Sequence, residues 1–225
     1  RHERPGQSRK RLTPGMARGR FISLEGGEGT GKSTLAAGLE AVLVQRGIGV
    51  ERTREPGGTP GAEEIRKLLV EGAAERWQPM SEALLLYAAR HDHVERRIKP
   101  ELAAGRWVIS DRFFDSTTAY QGAAGGIDRS TLDKLRRLTL GNFTPDLTLV
   151  LDLDPEFGLQ RAGSRGGSEQ RFEGKGLAFH QRLRKGFLDI AAAEPDRCAT
   201  IDARQPQDRV LAAALSQIEQ RLGWP

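Results

Sequence analysis

The chain has 225 residues, 37% of them apolar and 29% charged, with a formal net charge of +5, which is enough apolar content for one buried core and points to a single domain. Its longest uninterrupted apolar run, Ala83 to Ala89, is far below the roughly 20 residues of a bilayer-spanning helix, so no membrane partner is expected. The lone cysteine, Cys198, excludes an intrachain disulfide, and without a Cys/His cluster at zinc-ligand spacing the expected setting is a reducing cytoplasm.

The positive charge is concentrated at the start. Arg1, Arg4, Arg9, Lys10 and Arg11 against Glu3 give residues 1–15 a net +4, leaving +1 for the other 210. A domain this close to neutral gives no electrostatic footprint for nucleic acid, and none is expected as a partner. With Pro5, Gly6, Pro14 and Gly15 and no apolar h-region, residues 1–19 read as a disordered basic tail or an anion-binding arm, not as a secretory signal. The folded domain is expected over 20–225.

Within it, Phe21 to Glu25 (FISLE) is a strand that runs into a Gly-rich loop, and Leu35 to Leu43 follows with apolar residues at helical spacing. The pattern then repeats. Val50 to Thr53 predicts a strand, Ala62 to Val70 a helix, Ser81 to Ala104 one long helix and Arg106 to Ser110 a third strand, while Leu147 to Leu153 and Ala199 to Asp202 supply two more, with helices between and after them. Strands alternating with helices mean parallel β-α-β units, hence an α/β fold whose doubly wound sheet carries helices on both faces. Residues 161–175 (RAGSRGGSEQRFEGK) stand apart, rich in Gly, Ser and Arg, and read as a mobile basic segment.

The loop after the first strand carries the chemistry. Gly26, Gly27, Glu28, Gly29, Thr30, Gly31, Lys32 and Ser33, followed by Thr34, satisfy G-x-x-x-x-G-K-[ST] between a strand and an amphipathic helix. Glycines let successive N–H groups turn toward phosphate oxygens, and the helix adds its positive N-terminal end. Lys32 would reach the terminal phosphates of ATP, and the Ser33 hydroxyl would be offered to Mg²⁺. Glu28 is an acid in an anion-binding loop and is expected to face the acceptor or the metal. A strand-end aspartate near the loop is needed on the metal side; Asp111 and Asp152 both qualify, and Asp111 is favoured because Arg112 beside it supplies a phosphate-binding cation.

A kinase needs a second phosphate site, and Arg54, Arg66, Arg90 and Arg112, scattered over four segments, could form one. The segments FISLEGGEGTGKST, TREPGGT, EALLLYAAR, VISDRF, DSTTAYQG, PDLTLVLDL and RFE, in this order, resemble those of bacterial thymidylate kinase. The likeness runs from residue 20 to about 220. It implies a P-loop nucleoside-monophosphate kinase fold, with a parallel five-stranded sheet and a mobile lid, in a homodimer that phosphorylates dTMP to dTDP with ATP and Mg²⁺.

Carried over by position, Arg66 and Arg112 would hold the acceptor phosphate and Arg90 would donate to thymine O4. Thr117 and Gln121 would reach the base near N3, Tyr120 would crowd the 2′ position of the sugar, and Glu55 in TREPGGT would belong to the acceptor site. Where the family usually has a phenylalanine that stacks on the base, this chain has Leu86 beside Tyr87; either Leu86 makes an apolar contact or a neighbouring ring substitutes. The P-loop has Thr30 where some members carry an arginine. The lid-arginine type is therefore implied, with Arg165 and Arg171 as catalytic cations and Glu173 on the metal side. The rival readings are a kinase for another nucleoside monophosphate and a P-loop ATPase switch, the latter disfavoured by the set of acceptor arginines and, for a GTPase, by the lack of an Asn-Lys-x-Asp motif.

Overall fold

The computed structural model describes residues 18–73, 76–163 and 174–224. Five strands, β1 Phe21–Glu25, β2 Val50–Arg54, β3 Trp107–Asp111, β4 Leu147–Asp152 and β5 Cys198–Asp202, form one sheet in the order β2-β3-β1-β4-β5, with every pair parallel. β1 and β4 are almost wholly buried, as central strands of a covered parallel sheet must be, and so they appear as continuous apolar runs. β2 (VERTR) lies at an edge with one side open, and its charged alternate residues suit that place. The five predicted strands are all present, with ends within a residue of expectation.

Side chains alternate across the sheet. Ile22 and Leu24 of β1, Ile109 of β3 and Leu147, Leu149 and Leu151 of β4 point to one face, where α1 (Lys32–Gln45) adds Leu35, Leu39 and Leu43 and the C-terminal helix Gln207–Leu222 adds Val210, Ala214 and Ile218. Phe21 and Val108 point the other way, into a cluster with Tyr87, Ile98, Leu102 and Phe113, and Val150 meets Phe179, Leu183 and Phe187 of the helix Leu177–Ala193. The layers are helix, sheet, helix.

In chain order the remaining helices are α2 Pro60–Val70, α3 Pro79–His93, α4 Lys99–Ala103, α5 Phe114–Thr117, α6 Arg129–Leu140 and α7 Pro155–Gly163; Leu177–Ala193 is α8 and Gln207–Leu222 is α9. The long helix expected over Ser81 to Ala104 is not one regular helix: a π turn, Val94–Ile98, separates α3 from α4. Pro100 explains the interruption. It has no N–H, and its ring would press on the carbonyl four residues back; the Lys99 N–H bonds Val94 O, five residues back, and widens the rod before the proline. A second π turn, Thr118–Ala123, extends α5 and carries Tyr120 and Gln121.

Arg18 and Gly19, assigned to the tail from sequence, are already part of the fold. Arg18 pairs with Asp146 at 3.2 Å, and the Gly19 N–H bonds Leu102 O at 2.9 Å. At the other end Trp224 stacks on Trp107, ring centroids 6.5 Å apart, and the Arg46 guanidinium lies 3.9 Å from the Trp224 ring centre. Among the described residues no helix is long and apolar enough to cross a membrane.

Candidate active site

β1 is the point at which the sheet changes direction: the chain builds β2 and β3 on one side of it, then crosses to β4 and β5. Such a switch opens a crevice at the carboxyl ends of the strands, and the loops after β1, β2 and β3 all meet there. The Glu55 N–H, just past β2, bonds Asp111 O at the end of β3, and the Arg112 N–H bonds Leu24 O of β1.

The P-loop wraps from Gly26 to Gly31, which have φ of 137° and 92°, a region that side chains with a Cβ rarely enter. Lys32 opens α1 and is buried, its Nζ donating to Gly26 O at 3.0 Å and Gly27 O at 2.7 Å. Burial, then the nearby Arg112 cation, lower its pKa to about 8 in spite of the surrounding carboxylates. Ser33 Oγ donates to Asp111 Oδ2 at 2.8 Å. A hydroxyl and a carboxylate side by side at a phosphate cradle are the oxygen donors Mg²⁺ takes while keeping waters and phosphate oxygens as its other ligands, so this pair fits the ion.

Arg112 is the one non-glycine residue with positive φ, 73°, among the described residues. The left-handed turn costs roughly 1–2 kcal/mol for such a residue and sends the guanidinium back over the P-loop, where it donates to Gly26 O at 3.1 Å, Ser116 Oγ at 3.3 Å and Glu28 Oε1 at 3.0 Å. Burial alone would raise the Glu28 carboxyl; Arg112, Lys32 and the Tyr120 hydroxyl, which donates to it at 2.5 Å, outweigh that and bring its pKa down to about 2. Beneath this, Glu25 is fully buried and accepts from the Phe113 N–H at 2.7 Å and Ser116 Oγ at 2.6 Å. Burial and then the Asp115 carboxylate push its pKa up to about 8.

Beside the P-loop lies a cleft lined by Glu28, Glu55, Arg66, Leu86, Arg90, Arg112, Thr117, Tyr120 and Gln121, among others. All nine acceptor-side residues expected from sequence are thus brought together. Arg90 is buried and held from two sides: Nε donates to Glu55 Oε2 at 2.6 Å, and Nη2 donates to Phe113 O at 3.2 Å and Thr117 Oγ1 at 3.1 Å. His93 meets the other oxygen of Glu55 at 3.1 Å and Thr53 Oγ1 at 2.8 Å, and a Cβ on Gly58 would come within 2.4 Å of its ring. Arg66 donates to Pro56 O at 2.8 Å. Of the two possibilities at the missing aromatic position, Leu86 lines the cleft, whereas Tyr87 is buried in the core with its ring 4.9 Å from the Arg90 guanidinium carbon. Arg165, Arg171 and Glu173 lie outside the described residues.

A family model described as thymidylate kinase matches residues 24–214. The chain belongs to the thymidylate kinase family. A thymidylate kinase of Caulobacter vibrioides is 58% identical over 208 residues, covering 92% of this chain and all of that protein, and one of Magnetococcus marinus is 51% identical over 203 residues, covering 90% and 97%. The crystal structure of a thymidylate kinase from Ehrlichia chaffeensis superposes with a TM-score of 0.74 at 33% identity, over 89% of this chain and 99% of that one. The α/β nucleoside-monophosphate kinase fold expected from sequence is the fold observed.

The chain also has site features that its sequence does not announce. A further cavity lies between the P-loop (Gly29, Thr30, Gly31, Thr34) and the segment Ala203 to Gln207 after β5, and Arg161 of α7 also lines it. The only advance signal was ARQPQ, directly after a strand-end aspartate. Gly158 was missed as well: a Cβ on it would sit 2.5 Å from Glu28 O, and one on Gly29 would sit 2.0 Å from Gly158 O. Asp152, the strand-end aspartate not favoured for the metal side, makes a two-pronged ion pair with Arg184 at 2.7 and 3.0 Å. Glu25, Glu82, His93 and Ser116 also went unnoticed, although Glu25 and Glu82 are acids within apolar runs.

Proposed function

We propose that dTMP occupies the cleft over Arg90 and Gln121, that ATP lies along the P-loop with its base in the cavity before α9, and that Mg²⁺ is held by Ser33 and Asp111. The reaction is the ATP-dependent phosphorylation of dTMP to dTDP, the activity of the family. The observation that carries the assignment of sites is a shared wall: Glu28 belongs to the P-loop yet lines the acceptor cleft, and Arg112 spans both, bonding Gly26 O on one side and lining the cleft on the other. Two phosphates approaching from the two sides would meet at Arg112.

Phosphoryl transfer asks little covalent chemistry of the protein and much positive charge around the moving group. Lys32 and Arg112 supply that charge among the described residues. Arg66, at the cleft's edge, would hold the acceptor phosphate, Glu28 would accept from a sugar hydroxyl, and Tyr120, fixed by its bond to Glu28, would leave no room at the 2′ position. The metal, when bound, supplies Lewis-acid neutralisation of phosphate charge.

The working form is proposed to be a homodimer in the cytoplasm; the exposed Met80 and Leu84, one turn apart on α3, support the first, and a sequence whose one cysteine, Cys198, is a buried free thiol is compatible with the second. The deciding experiment is a coupled assay in which ADP release from MgATP depends on dTMP and is weak with dCMP, dGMP or no acceptor. Strong hydrolysis independent of acceptor would overturn the kinase assignment.

A further inference from the structure

Glu82 is the fourth residue of α3, in the apolar run SEALLLYAA, and is only 3% exposed. A buried carboxylate is costly unless hydrogen bonds satisfy it, so its placement calls for a reason. It lies 3.1 Å from the Nε2 of Gln121, which is itself 3% exposed and lines the acceptor cleft from the π turn.

An amide can present either end, and the two orientations are opposite in hydrogen-bonding sense. Glu82 removes the choice: a carboxylate only accepts, so the amide nitrogen must face it, and the amide oxygen is turned away. That oxygen, Gln121 Oε1, is buried and has no hydrogen-bond partner among the described residues. In the same cleft the Nη1 of Arg90 is likewise buried without a hydrogen-bond partner among the described residues, its guanidinium held by Glu55, Phe113 O and Thr117. The cleft therefore offers one fixed acceptor and one fixed donor. Thymine has the complement, an N3–H donor beside the O4 acceptor; cytosine presents an acceptor at N3 and a donor amino group at C4.

We propose that Glu82 is a specificity-determining positioning residue, which sets the polarity of the Gln121 amide so that the cleft accepts from a ring N3–H and rejects a ring nitrogen that is itself an acceptor. The inference rests on the reading of this cleft as the dTMP site. Arg90 is locked independently, so Glu82 controls one of two discriminating contacts.

Glu82→Gln tests it, because a second amide of the same size can face Gln121 with either end and frees it to turn over. Steady-state kinetics with dTMP and dCMP at saturating MgATP should show the dTMP KM rising and kcat little changed. The ratio of kcat/KM for dTMP over dCMP should fall about 10- to 100-fold, the range expected when one buried hydrogen-bond mismatch is relieved. A merely structural role would lower both efficiencies together and leave the ratio in place, and that result would overturn the proposal. Should Glu82→Gln fold poorly by circular dichroism, Glu82→Met, which removes the acceptor without adding a hydrogen-bonding group, should lower the ratio in the same way, and an unchanged ratio there overturns it equally. The wild-type chain separates the two levels of argument: no preference for dTMP in the parent enzyme would defeat the reading of the cleft, whereas a strong parental preference retained in the variant would defeat only the role of Glu82.

Discussion

Lys32 is a cation that the protein makes uncomfortable. Buried and close to Arg112, it is held at a pKa of about 8, so as pH rises through 8 it loses the charge that a triphosphate needs, while below that value it keeps it. The expected outcome is a kcat/KM for ATP that declines above about pH 8. The limb in kcat should lie at higher pH, since bound phosphate favours the protonated amine. A pH profile of both constants checks this; coincident limbs would show that phosphate does not contact Lys32. The residues of the P-loop were readable in advance because they are contiguous and their roles are set by backbone shape. Glu82 was not, because a carboxylate in an apolar helix announces only that something must satisfy it, and the partner, Gln121, is 39 residues away.

At the scale of elements, the approach of α7 to the P-loop is the sharpest constraint. Gly158→Ala should gain about 1 kcal/mol of helix propensity, but the new Cβ would stand 2.5 Å from the backbone oxygen of Glu28, and overpacking of this kind costs about 1–3 kcal/mol or more. The clash should win. Urea unfolding is expected to show a lower midpoint, together with a raised KM for ATP as the loop shifts; an unchanged midpoint and KM would mean that α7 moves freely against the loop. Nothing in EFGLQRA foretold this, since a glycine in a helical pattern has many causes. The helices themselves were legible from their periodicity, but the π turns were not: Pro100 marked where a rod would be disturbed without saying that it would widen, and the second π turn, which aims Tyr120 and Gln121, has no proline at all.

For the molecule as a whole, the order of elements was legible because each strand and helix is a local pattern, and the parallel sheet follows from their alternation. The cavity that the P-loop and Arg161 share with Ala203 to Gln207 was not, since it is assembled from three segments far apart in the sequence that acquire a common purpose only in three dimensions. The same holds for the surface. Met80 and Leu84, 39% and 51% exposed on one side of α3, are the described apolar residues on which the proposed homodimer rests, and Leu84→Arg is expected to yield a monomer by sedimentation velocity with an unchanged circular dichroism spectrum. A parent chain that sediments as a monomer would remove the proposal.

The stacked Trp107 and Trp224 have a consequence of another kind. Trp107 begins β3 and Asp111 ends it, so the pair stands at the amino-terminal ends of the strands, opposite the candidate active site, with the guanidinium of Arg46 over the Trp224 ring. The third tryptophan, Trp77, donates from its indole to Leu68 O, next in sequence to the cleft residues Leu69 and Val70. The molecule thus carries two spectroscopic zones: the near-ultraviolet signal of the Trp107–Trp224 pair is expected to report the packing of Trp224, and the emission of Trp77 is expected to change when the proposed acceptor cleft fills, so that the two can be sought separately in an unlabelled sample.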